Sequence, residues 1–184
     1  DEHGPDAVGL VVGNPAVHRT GIVLYLLDLF EAIGSRNVFT SASLDQLPKQ
    51  VASGLLFGDF GAVAVPDVDR TDLLVVIGAN PVVSNGSMWT VPDAKGRLRA
   101  LRARGGRLVV VDPRRTETAE LADVHLAPRP GTDAVLLAAL ANTVLADGLT
   151  SLGAIDSHVN GIDEVRAALA PFTVELAADH CGLD

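Results

Sequence analysis

Apolar residues follow two rhythms along this chain. Short unbroken runs at Ala7 to Val12, Leu73 to Ile77, Arg107 to Val111 and Val124 to Ala127 stop at Gly, Asp or Pro. Runs this short, bounded by turn formers, predict strands buried on both faces. Helical spacing runs from Gly21 to Ile33, closed by Gly34, and again from Leu44 to Leu56, with Pro48 in a first turn where its missing amide is tolerated. Asp93 to Arg104 reads as a basic amphipathic helix, Thr132 to Ala146 as a long helix rich in Ala and Leu, and Gly161 to Ala170 as a short one. Asn37 to Phe39 adds a short strand.

Strands that alternate with helices predict an α/β fold: a doubly wound, mainly parallel sheet with helices on both faces, Rossmann-like in outline. The clearest unit starts at Asp72, with a strand at Leu73 to Ile77, a loop from Gly78 to Ser87, the basic helix, and a second strand at Arg107 to Val111. These two strands are expected to be adjacent and parallel with a right-handed crossover. Neither an internal repeat nor a low-complexity segment breaks the pattern, and one α/β domain over residues 1–184 is expected.

Composition narrows the function. The 184 residues can bury one good-sized core, and the formal charge of -9 disfavours broad binding of nucleic acid, so any anionic ligand must be held locally. The single cysteine, Cys181, gives neither a disulfide framework nor a cluster for zinc or iron-sulfur, and reads as an isolated thiol near a terminus. The longest apolar stretches fall short of a membrane span, Ile22 to Leu29 being interrupted by Asp28. Asp1, Glu2 and His3 open no leader-like segment. Cytoplasmic location without membrane insertion is expected, a signal on a longer parent chain being left open.

Ligands of open parallel sheets bind outside the carboxyl ends of the strands. Three loops follow strands here: Gly78-Ala79-Asn80-Pro81 with Ser84, Asp112-Pro113-Arg114-Arg115-Thr116, and Arg129-Pro130-Gly131-Thr132-Asp133. Asp112 stands where such folds place a carboxylate against ribose hydroxyls, and Arg114 and Arg115 could meet phosphate. Taken singly, each has an ordinary explanation: Gly78 and Asn80 shape a turn, Asp112-Pro113 ends a strand, and Thr132 with Asp133 caps a helix. The first loop lacks the G-x-G-x-x-G fingerprint, which disfavours an ordinary NAD dehydrogenase.

The order and spacing of the three loops resemble those of the molybdopterin guanine dinucleotide oxidoreductases, the family of formate dehydrogenases, nitrate reductases and dimethyl sulfoxide reductases. The resemblance runs from Leu73 through Gly78-Ala79-Asn80-Pro81, the distinctive Asp112 to Ala119, Ala122-Asp123, and Pro130-Gly131-Thr132-Asp133. Weaker similarity reaches Gly13-Asn14-Pro15 and Pro171-Phe172-Thr173. It implies that residues 72–147 form a cofactor-binding core for bis(molybdopterin guanine dinucleotide) with molybdenum or tungsten. Ile77 to Ser84 would contact the dinucleotide backbone, Asp112 to Thr116 its ribose and phosphate, and Gly131, Thr132 and Asp133 the guanine. A carboxylate at Asp133 suits a guanine edge because it accepts two hydrogen bonds.

By the same resemblance, counting back from Phe57-Gly58 puts the family's protein ligand to the metal on Asp45, with Gln46 beside it; Ser41 and Ser43 are alternative oxygen ligands. A carboxylate suits a hard, high-valent metal, though Asp45 could equally cap the following helix. Family members commonly carry an N-terminal 4Fe-4S segment, a second nucleotide-binding half and a C-terminal barrel, none of which fits in 184 residues. The expectation is therefore a piece of a larger two-electron redox or oxo-transfer enzyme, inactive alone. Its partners would be the remaining domains of its parent chain and electron-transfer subunits. The alternatives are a non-catalytic molybdopterin-type subunit of a respiratory NADH dehydrogenase and a plain nucleotide-binding module.

Overall fold

The computed structural model describes residues 3–86, 89 and 91–183. Asp1, Glu2 and Ser87, the last being the expected end of the first loop, lie outside the described residues. Where the sequence suggested one domain, the residues gather into two compact units divided after Ala64.

In the first unit a 3-10 turn at Pro5–Ala7 precedes strand β1, Leu10–Val12. The expected strand is thus shorter at its start, because proline and the turn's own bond from Val8 N to Pro5 O take Ala7 out of extended geometry. Helix α1, Thr20–Ile33, ends at Gly34, whose left-handed φ of 70° lets its amide close the helix on Phe30 O at 2.9 Å. Strand β2, Val38–Thr40, then pairs with β1 in parallel, Leu10 opposite Val38, completing the expected β-α-β unit. The single helix expected from Leu44 to Leu56 is divided into a short α2, Ala42–Asp45, and α3, Leu47–Phe57, broken at Gln46. The cause is Pro48, which has no amide to carry a continuous helix back onto Leu44.

The second unit holds a three-stranded parallel sheet in the order β3, Leu73–Ile77; β4, Arg107–Val111; and β5, Val124–Leu126. After β3 comes a single helical turn, α4, Pro81–Ser84, and then α5, Ala94–Ala103. The side chain of Asp93 caps α5, accepting from Gly96 N at 3.0 Å. On α5, Ala94, Leu98 and Leu101 share one face, and Leu98 and Leu101 bury themselves against Leu108 and Val110, with Leu74 and Val76 of β3 packed alongside. Each leucine so buried contributes about 1.5–3 kcal/mol, whereas Arg99 between them stays exposed.

The opposite sheet face is covered at its carboxyl end by α6, Asp133–Ala146, and α8, Val174–Cys181. There Val111 and Leu126 pack with Leu136 and Cys181. Helices therefore flank both faces, as expected of a doubly wound sheet, but Leu73, Val75 and Ile77 of β3 are exposed, so the expected burial of that strand on both faces is not met. Helix α7, Ile162–Leu169, precedes α8; Arg166 Nη1 donates to Leu145 O at 2.7 Å, near the end of α6. Cys181 is corrected from an isolated terminal thiol to a fully buried core residue, its Sγ 3.6 Å from Thr132 O. Among the described residues no helix is long and apolar enough to cross a membrane.

Candidate functional site

The register of the sheet decides where the three loops emerge. Ile77 pairs with Val111 and Val111 with Leu126, so the three strands end in one row. The ladder continues one step past each neighbour: Gly78 N donates to Val111 O at 2.9 Å and Asp112 N to Leu126 O at 3.0 Å. All three loops accordingly leave from the same carboxyl edge of the second unit.

The first two loops are tied together by an amide. Asn80 Oδ1 accepts from Thr118 Oγ1 at 2.7 Å and Thr118 N at 3.3 Å, while Asn80 Nδ2 donates to Glu117 Oε2 at 2.7 Å. Thr118 Oγ1 in turn accepts from Val82 N at 3.2 Å. The Asn80 side chain, which the resemblance placed among the groups contacting the dinucleotide, thus has both of its polar atoms engaged within the protein. The Glu117 carboxyl is held below its usual range, first by a backbone amide of its own, then by Asn80, with the Arg114 guanidinium adding to the effect. Ser84 Oγ turns back to Asn80 O at 3.3 Å and accepts from Gly86 N, and Pro81 is buried. Within the first loop, then, Ile77, Gly78, Ala79 and Asn80 offer backbone more than side chain. Gly78, at a φ of 60°, has open space where a Cβ would stand.

In the second loop Asp112 folds back on itself. Its Oδ1 accepts from Arg114 N at 2.8 Å across Pro113, and its carbonyl is met by His125 Nε2 at 2.9 Å. Thr116 is buried, and its Oγ1 accepts from Ala119 N at 3.1 Å at the start of a 3-10 turn, a local structural task. Arg114 is exposed and reaches Glu117 at 3.9 Å. Arg115 is exposed and makes no side-chain hydrogen bond or ion pair among the described residues.

In the third loop Thr132 is buried, and its hydroxyl donates to Arg129 O at 2.7 Å instead of capping α6. Arg129 is consumed as well, its Nη1 donating to Asp179 O at 3.0 Å and His180 O at 3.1 Å at the end of α8. Asp133, the first residue of α6, is only partly buried, and its carboxylate has no hydrogen-bond partner among the described residues. Gly131, at a φ of 84°, leaves open space beside it.

The edge therefore combines three kinds of available group. The amides of Ala79, Asn80, Arg115 and Gly131 donate to nothing among the described residues, Arg115 supplies a free cation, and Asp133 a free acceptor. Amides and a guanidinium suit phosphate oxygens, and a carboxylate suits a ligand that presents paired N–H donors. Sequence reasoning passed over Thr118, Glu117 and His125 as functional residues; the only advance sign of His125 was a polar residue within an apolar strand.

Asp45 and Gln46 belong to the first unit. Asp45 is the exposed last residue of α2, and neither residue's side chain caps α3, so the expected helix-capping role of Asp45 is not formed. Ser41 and Ser43 flank the start of α2 and are exposed. Among the described residues no three His, Cys, Asp or Glu side chains cluster to hold a metal ion.

The sequence profile of the molybdopterin oxidoreductase family matches residues 1–157. A probable oxidoreductase of Bacillus subtilis is 31% identical over 98% of this chain and 18% of its own length. Formate dehydrogenase H of Escherichia coli is 27% identical over 100% of this chain and 25% of its own length. The structure of acetylene hydratase from Pelobacter acetylenicus superposes with a TM-score of 0.71 and 23% identity over 98% of this chain and 23% of its own, a likeness of fold. The chain thus spans a quarter or less of the length of these relatives.

Proposed function

Because the chain belongs to the molybdopterin oxidoreductase family, we propose that the carboxyl edge of its second unit holds the guanosine end of a bis(molybdopterin guanine dinucleotide) cofactor. The observation that carries the reading is Asp133: a carboxylate without a hydrogen-bond partner among the described residues, on the same sheet edge as four amides and the Arg115 guanidinium that are likewise unpaired among them. The donor set fits the group. Guanine presents two N–H donors side by side, which one carboxylate accepts together, and the diphosphate is an anion suited to loop amides and Arg115. Asp112 Oδ2 is left to accept from a ribose hydroxyl, since Oδ1 is held by Arg114 N. The positive φ of Gly78 and Gly131 keeps side chains from filling the space above both loops.

When bound, the cofactor's molybdenum or tungsten would supply the two-electron redox or oxo-transfer chemistry. This chain's contribution is to bind and orient it. The rest of such an enzyme, including an iron-sulfur cluster and electron-transfer partners, would come from other parts of a longer polypeptide and its subunits. The first unit supports that picture. Helix α1 is apolar over most of its circumference, interrupted by Asp28 and Glu31, yet Val23, Leu24, Tyr25 and Leu27 are exposed. A helix of this kind is stable inside a larger body, and the cover we infer is flanking polypeptide of the same protein.

The test is the guanine nucleotide released on denaturing the purified full-length protein. Replacing Asp133 by Ala removes charge-assisted bonds and is expected to weaken retention roughly 10- to 100-fold. Guanine content equal to that of the parent protein would refute the reading.

A further inference from the structure

We propose that Thr118 is a positioning residue: acting through Asn80, it locks the first cofactor loop to the second, and the Asn80 side chain is the bracket between them and not a ligand. The inference rests on the reading of this edge as a nucleotide site.

The geometry is specific. Thr118 is fully buried at the foot of the second loop, and its hydroxyl is used twice, donating to Asn80 Oδ1 at 2.7 Å and accepting from Val82 N at 3.2 Å. Asn80 spends its oxygen on Thr118 and its nitrogen on Glu117, whose carboxyl is held below its usual range first by its own backbone amide and then by Asn80. Two segments 38 residues apart in sequence are thereby joined by bonds on both atoms of one amide. Each loop alone is a short excursion beyond a strand end, free to rotate its amides away from a ligand. Joined, the amides of Ala79 and Asn80 keep a fixed direction relative to that of Arg115, so the ordering cost is met in folding instead of binding.

A direct ligand and a bracket respond differently to substitution. Thr118→Val keeps the shape of the side chain but removes both of its hydroxyl bonds, whereas Thr118→Ser keeps them. In full-length protein prepared without cofactor, Thr118→Val is expected to speed amide exchange of the segment 77–84 about tenfold, the loss of roughly one such bond. In cofactor-loaded protein it is expected to lower guanine nucleotide content to a similar degree, with Thr118→Ser restoring both. Asn80→Ala should reproduce the effects of Thr118→Val, and the double variant should be no worse than either alone.

Unchanged exchange over 77–84 in Thr118→Val overturns the proposal. So does an Asn80→Ala defect that adds in full to that of Thr118→Val, which would mark Asn80 as an independent ligand. If Thr118→Val does not accumulate as folded protein, Asn80→Ala carries the exchange measurement under the same criteria. Guanine content that falls in Asp133→Ala but not in Thr118→Val refutes the bracket alone. Content unchanged in both refutes the nucleotide site on which it rests.

Discussion

His125 Nε2 meets the carbonyl oxygen of Asp112 at 2.9 Å, so a side chain of β5 holds the backbone where β4 passes into the second loop. A carbonyl only accepts, so Nε2 must carry the proton. His125→Leu would leave that partly buried carbonyl without its partner and is expected to cost about 1 kcal/mol or somewhat more. His125→Gln, whose amide can still donate, should cost less. Thermal unfolding of the full-length variants checks the order; a Leu variant as stable as the Gln variant would show that the contact contributes nothing.

Asp123 does comparable work at the other end of the sheet. Its Oδ2 accepts from Leu108 N at 2.8 Å and its Oδ1 from Arg102, pinning the start of β4, the end of α5 and the approach to β5 to one another. The Leu108 amide, and after it Arg102, hold the carboxyl below the ordinary aspartate range. A folded-state pKa below the unfolded value means stability that is fully present above the unfolded pKa, about 3.9, and lost as pH falls through the folded one. Asp123→Asn should therefore lower the melting temperature at neutral pH, and its deficit against the parent protein should shrink as the solution is acidified below about pH 4. A deficit independent of pH across that window would assign the loss to packing instead.

How much of this was legible beforehand follows from the range of the interactions concerned. Leu73–Ile77 and Arg107–Val111 appear as expected because strand identity there is written in consecutive residues. The common edge of the three loops followed from parallel topology alone. Helix α8 went unread: only Thr173, which caps it by accepting from Leu176 N, and Gly182, in left-handed geometry beyond its end, marked it. The engagement of Asn80 with Thr118 and Glu117 could not be read from either loop, because a hydrogen bond between residues 38 apart leaves no local pattern. The same holds for Thr132, whose place before a helix suggested a cap while its hydroxyl found Arg129 O. Position in the fold was readable, and the partner of each polar atom was not.

Gly106 offers a test of the crossover that delivers the second loop. Its amide donates to Leu101 O at 3.0 Å to close α5, and a Cβ built on it would meet the side chain of Leu101 and stand 2.9 Å from that carbonyl. Leu101 is fully buried against the sheet and has nowhere to retreat. Gly106→Ala is expected to destabilise the protein by about 1–3 kcal/mol, the range for forced overpacking. Gly105→Ala would instead test backbone strain, since Gly105 has a φ of 92° but open space around it. Denaturant titration separates the cases: an unaffected Gly106→Ala would mean that Leu101 repacks freely.

Asp45 carries the most exposed of the proposals. It ends α2 with its side chain in solvent, and the helix after the Gln46 break starts without help from its carboxylate. A carboxylate with no local structural task is available for a ligand, and its oxygen suits a hard, high-valent metal. Asp45→Ala in the full-length, metal-loaded protein is expected to change the metal-edge absorption spectrum by removing one oxygen neighbour, while leaving guanine nucleotide content unaltered because Asp133 and the loop amides are untouched. Asp45→Glu should partly restore the spectrum, since it keeps the oxygen donor on a longer arm. A spectrum identical to that of the parent protein would remove Asp45 from the metal and turn the search to Ser41 and Ser43, exposed hydroxyls at the start of α2.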